Sequence, residues 1–242
     1  METWGCWGTK RSALPKTTHS QEHSKLGSAT AQAWGATGRA LIAGYVDSYT
    51  LLNFGVYASF MSGNTTSAGL HLGQASAAAA AHSLLPIPFF VFGIFVGTLL
   101  VYAGRRPGPA GLSVSVAAML SFVIVAAYFA WPGWVSILVL STAMGILNIS
   151  ITQVGGQSVG LGYVTGDLNN LGQQLALGIK RAPLQQTPGS WDTHWLRAAL
   201  LAGIWTAFFA GAIAGAALAP RLAHWTLLLP VILLMIFALL EN

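Results

Sequence analysis

Two carboxylates stand inside an otherwise apolar chain: Asp47 in AGYVDS and Asp167 in YVTGDLNNLG. The other acidic residues sit at its margins, Glu2 and Glu22 near the amino terminus, Asp192 in a loop and Glu241 at the end. An aspartate near the centre of a membrane helix costs about 2.5 to 3.5 kcal/mol on insertion scales, so it needs a partner, a proton or access to water. Groups able to coordinate a solute lie beside each one. Ser62, Asn64, Thr65 and His71 occupy MSGNTTSAGLHLGQ, while Thr165, Asn170 and Gln174 follow the same order in the second stretch. Asn64, Ser67, His71 and Gln74 recur at spacings of three and four, as do Asp167, Asn170 and Gln174, which puts each set on one helical stripe. This combination suits binding of a small solute, with an aspartate carrying a proton or cation.

The two stretches align at a constant offset of 103, with Ser62 over Thr165, Gly63 over Gly166, Asn64 over Asp167, Gly69 over Gly172 and His71 over Gln174. Upstream, AGYVDS and MGILNI align at an offset of 101, placing Asp47 over Asn148. Each half thus keeps one carboxylate and one amide in exchanged positions. The expectation is that Asp47, Asn64, Asn148 and Asp167 converge on one near-symmetric central site. Downstream, Gly93 and Gly97 correspond to Gly211 and Gly215, GxxxG spacings suited to close helix packing and to a homo-oligomer built on those faces.

The elements that position these groups follow from the solvent. A chain that is 54% hydrophobic and 7% charged is an integral membrane protein, not a soluble domain. A spanning helix needs about 20 apolar residues. Six stretches qualify, approximately 38–60, 84–104, 112–131, 134–155, 195–218 and 223–240. A closed barrel is excluded, because runs such as WTLLLPVILLMIFALL are apolar on every side instead of alternating. The segment 1–37 reads as a disordered cytoplasmic tail without a signal-peptide core, and its Cys6 is the single cysteine, so no intrachain disulfide forms.

Charge sets the orientation. With the amino terminus cytoplasmic and six spans, Lys and Arg residues fall inside except Arg221, which favours an inner-membrane protein of that topology. The fold class expected is all-α, with six transmembrane helices in two inverted three-helix repeats, 38–131 and 134–242, each carrying a broken or re-entrant polar segment. Eight full spans would move Arg105 and Arg106 outside and ask lipid to accept GDLNNLGQQ.

Bland readings stand beside these. Asp47 could simply hold a broken backbone or Asn148, Asp167 could cap a helix, and His71 could be a satisfied polar neighbour. His82, His194 and His224 lie near span ends and read as contacts to headgroups or water. A membrane aspartyl enzyme is a competing idea, but YVTGD matches such signatures only loosely, and no HExxH or GxSxG motif occurs. No paired cysteines suit a metal, and the scattered basic residues suit no nucleic acid. No cofactor is expected. The partners expected are the lipid bilayer and an unidentified solute. A noncatalytic scaffold remains the alternative to a transporter.

AGYVDS, FMSGNT, MGILN and YVTGDLNNLG together resemble the YoaK-like family of multi-pass bacterial membrane proteins, a domain of unknown function, over about residues 36–240. Ser62 stands where the family pattern has threonine, Leu147 where it often has glutamine, and an acid at Asp167 is often lacking there. The resemblance implies a six-span bundle and no particular substrate.

Overall fold

The computed structural model of the chain describes residues 19–102, 109–160, 164–184, 187 and 189–241. Cys6, Arg105, Arg106 and Tyr163 lie outside them. The first helix, α1, runs His19–Phe54, so the expected disordered tail does not extend to residue 37. Its Ala, Gln, Glu and Lys content favours helix despite the Ser and Thr residues. Thr30 and Thr37 donate their hydroxyls back to the carbonyls of Leu26 and Ala33, at 2.9 and 2.8 Å, which satisfies them within the helix.

A break at residues 55–60 leads to α2 (Met61–Gly73), then α3 (Ala77–Leu84) and α4 (Pro86–Tyr102). Pro86, lacking an N–H, separates α3 from α4 at Leu85. Helix α5 (Pro109–Tyr128) carries proline at its first position, where no donor is missed. A tight turn closed by the Trp131 N–H on the Ala126 carbonyl leads to α6 (Gly133–Ser150). A second break holds the hairpin β1 (Gln153–Val154) and β2 (Gln157–Ser158), turning at Gly155 with φ 57°. Then come α7 (Val164–Ile179) and α8 (His194–Leu222), the latter capped by Thr193 Oγ1 accepting from the Leu196 N–H at 3.1 Å. A 3-10 turn at Ala223–Leu227 joins it to α9 (Leu228–Leu240).

Among the described residues, four helical stretches are long and apolar enough to cross a membrane: Ala77–Tyr102, Ala110–Tyr128, Gly133–Ser150 and His194–Leu240. The last contains both expected spans 195–218 and 223–240. The expected span 38–60 is not among the four; it is the second half of α1, carries Arg39 and Asp47, and ends at Phe54.

The packing is organised by glycines. On the α1–α8 pair, a Cβ at Gly211 would collide with the Leu41 carbonyl, one at Gly215 with Tyr45, and one at Gly44 with the Phe208 carbonyl. On the α4–α6 pair, Gly93 faces the Thr142 carbonyl, Gly97 faces Ile146, and Gly145 faces the Phe90 carbonyl. Residue numbers rise together in both, so each pair is parallel. A shift of 101 carries Leu41, Gly44 and Tyr45 to Thr142, Gly145 and Ile146, and a shift of 118 carries Phe90, Gly93 and Gly97 to Phe208, Gly211 and Gly215. One set of contacts therefore maps onto the other. The GxxxG faces are filled within the chain, which corrects the expectation that they serve a homo-oligomer. Helix α5 packs on α6 and α9 around a core of Ile42, Val46, Leu120, Leu140, Met144 and Leu147.

Candidate functional site

At the first break the chain leaves α1 through Gly55, whose φ of 72° suits glycine. The freed backbone is held from both sides. The Asp47 carboxylate, 4% exposed, accepts the Ser59 N–H on Oδ1 and the Ser59 hydroxyl on Oδ2, both at 2.7 Å. Both donors lie at the turn into α2, so the carboxylate sits by the start of that helix, where the helix dipole favours an anion. From α2, the Asn64 side chain accepts the Tyr57 N–H at 2.9 Å and donates to the Tyr57 carbonyl at 2.7 Å. His82 Nε2 meets the Phe54 carbonyl at 2.8 Å. A break at membrane depth survives only when its polar groups find partners, and Asp47, Asn64 and His82 supply them.

The second break repeats one of these clamps. Asp167 Oδ1 accepts the Gly160 N–H at 3.1 Å, reaching back seven residues as Asn64 does to Tyr57, and the shift of 103 relates both members. The second clamp is less complete: Asp167 is 3% exposed, yet its Oδ2 is buried without a hydrogen-bond partner among the described residues. Two turns further along α7, Gln174 joins a chain of side-chain bonds. Gln157 Nε2 donates to the Ser158 carbonyl at 2.8 Å, Gln174 Nε2 to Gln157 Oε1 at 3.0 Å, and His194 contacts Gln174 Oε1 through Nδ1 at 2.7 Å and the Ala182 carbonyl through Nε2 at 3.0 Å. A cavity of about 610 Å³ opens beside this chain, lined by Gln174, Ala182, Leu184, His194 and Arg197.

The two breaks do not meet. Phe54, at the end of α1, lies against Gly133 at the start of α6, while Gly35 of α1 lies against Ile151 at the end of α6. Helices α1 and α6 are therefore antiparallel, and the breaks flank opposite ends of the bundle. The nineteen residue-to-residue steps from Gly35 to Phe54 of α1 rise about 29 Å at 1.5 Å each. This corrects the expected convergence of Asp47, Asn64, Asn148 and Asp167: the first two hold one break, Asp167 holds the other, and Asn148 sits half-buried and engaged near the end of α6. Duplication makes residues equivalent. It brings them together only when they lie on the axis relating the halves.

The remaining expected site residues are dispersed. Ser62, Thr65 and Thr165 are exposed, Thr65 bonding back to the Met61 carbonyl at 2.9 Å, and His71 and Asn170 are half-buried. Gln174 alone joins a side-chain network beside a cavity. His194, expected at headgroups or water, is instead buried in that network.

Two buried or half-buried charge pairs carry no local signature in the sequence. Arg39, fully buried, donates through Nη2 to Glu241 at 2.7 Å and to Ser113 Oγ at 2.8 Å, with its guanidinium 5.5 Å from the Phe237 ring centroid. It ties α1, α5 and the end of α9 together. A second pair, Arg197 with Asp192, joins at 2.6 Å. The signal for the first was a lone arginine in an apolar run and a lone terminal glutamate, separated by almost the whole chain.

Parallel pairs of apolar helices, with polar breaks whose backbone is satisfied by buried side chains, define an all-α multi-pass membrane protein. The chain belongs to the DUF1275 family of proteins of unknown function, whose profile matches residues 36–240. It is also 33% identical, over 80% of its own length and 80% of the relative's, to a UPF0700 transmembrane protein of Rhizobium meliloti (strain 1021). No solved structure matches.

Proposed function

We propose that the chain is a small secondary transporter of the inner membrane, amino terminus cytoplasmic, built from two inverted halves with a gate at each end of the bundle. The observation carrying this reading is the repeated clamp, Asn64 on Tyr57 and Asp167 on Gly160, supported by the interchangeable glycine contacts and by α1 running antiparallel to α6. Inverted repeats with interrupted helices are the architecture of many secondary carriers. The two ends differ in a way that fits alternating access. The first break, 55–60, is saturated with hydrogen bonds, whereas the second, described over residues 151–160, leaves Asp167 Oδ2 unpartnered among the described residues and adjoins the cavity beside Gln174 and His194.

In this reading Asp47 is a structural staple, and the coupling carboxylate is Asp167, with Asn170, Gln174 and His194 facing the solute path. Protein reconstituted in liposomes should give a solute-dependent current or pH change on one of a panel of amino acids, sugars and organic acids. Asp167→Asn should abolish coupling, while Asp47→Asn retains it. Loss with Asp47→Asn alone, in protein that stays folded at the assay temperature, contradicts the assignment. A noncatalytic scaffold is the second reading, favoured by the saturation of Asp47 by Ser59; it predicts that no variant alters any flux.

A further inference from the structure

Beside the second break, on the outer side of the α1–α8 pair, lies a separate groove of about 420 Å³. Leu26, Ala33, Leu196, Leu200 and Gly203 form its walls, and Thr30 and Thr37, which also line it, turn their hydroxyls to their own helix backbone. Its only charged lining residues among those described, Asp192 and Arg197, are paired with each other. The groove offers hydrocarbon a dry, apolar bed of the size of small-molecule sites. Trp34 at its rim is 73% exposed, and Trp195, next to lining residue Leu196, is 55% exposed. Tryptophans displayed this way gather at the level of lipid headgroups. Lys25, adjoining Leu26, and Lys180 and Arg181, adjoining Ala182 on the His194 side, are exposed at the same end.

We infer that this groove holds one acyl chain of an anionic phospholipid, whose phosphate is met by Lys25, Lys180 and Arg181. The apolar bed selects a hydrocarbon chain, the tryptophan belt sets its depth, and the basic rim selects the sign of the headgroup. The site does not rest on the transport reading, since lipid binding requires no solute flux; Arg197, paired with Asp192, lines both the groove and the neighbouring cavity.

Gly203 provides a clean probe, because a Cβ there meets nothing within 4 Å. Leucine at this position fills the groove without displacing backbone. The full chain is purified from nanodiscs of equimolar phosphatidylglycerol and phosphatidylcholine, and retained lipid is counted by native mass spectrometry. Wild-type protein should keep one phosphatidylglycerol. Gly203→Leu should lower that occupancy at least fivefold with unchanged melting temperature, and Lys180→Gln with Arg181→Gln, both exposed, should bring the two lipids to equal retention. Equal retention in wild type and Gly203→Leu overturns the proposal, as does no preference for the anionic lipid in wild type. A lipid-free wild type whose groove admits lipid only after deletion of residues 2–18 would assign it to the chain's own amino-terminal segment, and a lipid-free dimer would assign it to a second copy; either result overturns the proposal.

Discussion

Replacing Asp47 separates a staple from a proton carrier, because asparagine keeps both contacts to Ser59 and alanine keeps neither. Asp47 receives both the N–H and the hydroxyl of Ser59 in a buried setting. Alanine leaves two buried donors unmatched at about 1–3 kcal/mol each, so roughly 2–6 kcal/mol is lost. Asparagine keeps one acceptor for the Ser59 N–H, and its amide donates to Ser59 Oγ once the hydroxyl rotates. Two charge-assisted bonds become neutral ones, at a cost of about 1–2 kcal/mol. Ser59→Ala removes one donor and falls between. Thermal unfolding in mild detergent, followed by near-UV circular dichroism, reads the order: wild type, Asp47→Asn, Ser59→Ala, Asp47→Ala. At about 2–4 °C per kcal/mol for a chain of this size, Asp47→Ala should melt several degrees below Asp47→Asn. Equal melting of the two variants, or no loss with alanine, would refute the staple.

The glycine contacts predict a paired pattern. Gly211→Ala and Gly93→Ala each drive a methyl into a carbonyl of the facing helix and should cost about 1–3 kcal/mol by overpacking, whereas Gly172→Ala and Gly69→Ala meet open space and should be neutral or stabilising in the same melts. Glu241→Ala leaves the fully buried Arg39 charge unpaired and should cost about 3–5 kcal/mol, more than Arg39→Ala, whose orphaned glutamate side chain is 22% exposed and reaches water. Arg39→Met combined with Glu241→Gln should recover part of that loss, measured by the same unfolding assay.

Much of this was legible in the chain, and what was not has a common cause. Apolar runs marked the spans because lipid demands them at fixed length, and the Gly93 and Gly211 pairs marked the tight helix contacts because only glycine lets two backbones come that close. The likeness of Asn64 and Asp167 was visible because each loop is held by a side chain seven residues on, which fixes the residue type and the spacing. Three features were hidden. The Ser and Thr residues of 19–37 masked a helix whose hydroxyls turn back on its own backbone. Arg39 and Glu241 meet across 202 positions, a pairing no local pattern records. The convergence of the four polar residues was expected from the matching motifs, but the two clamped breaks start at opposite ends of the bundle, and Asp47 is met by Ser59 twelve residues on.

The placement of the two breaks at opposite ends of the bundle is open to direct measurement. With Cys6 replaced by serine, Ser62→Cys and Thr165→Cys each present one exposed thiol at the start of α2 or α7. In sealed right-side-out vesicles a membrane-impermeant maleimide should label the residue 62 thiol at once and the residue 165 thiol only after the vesicles are opened. Labelling of both from one side would contradict the account.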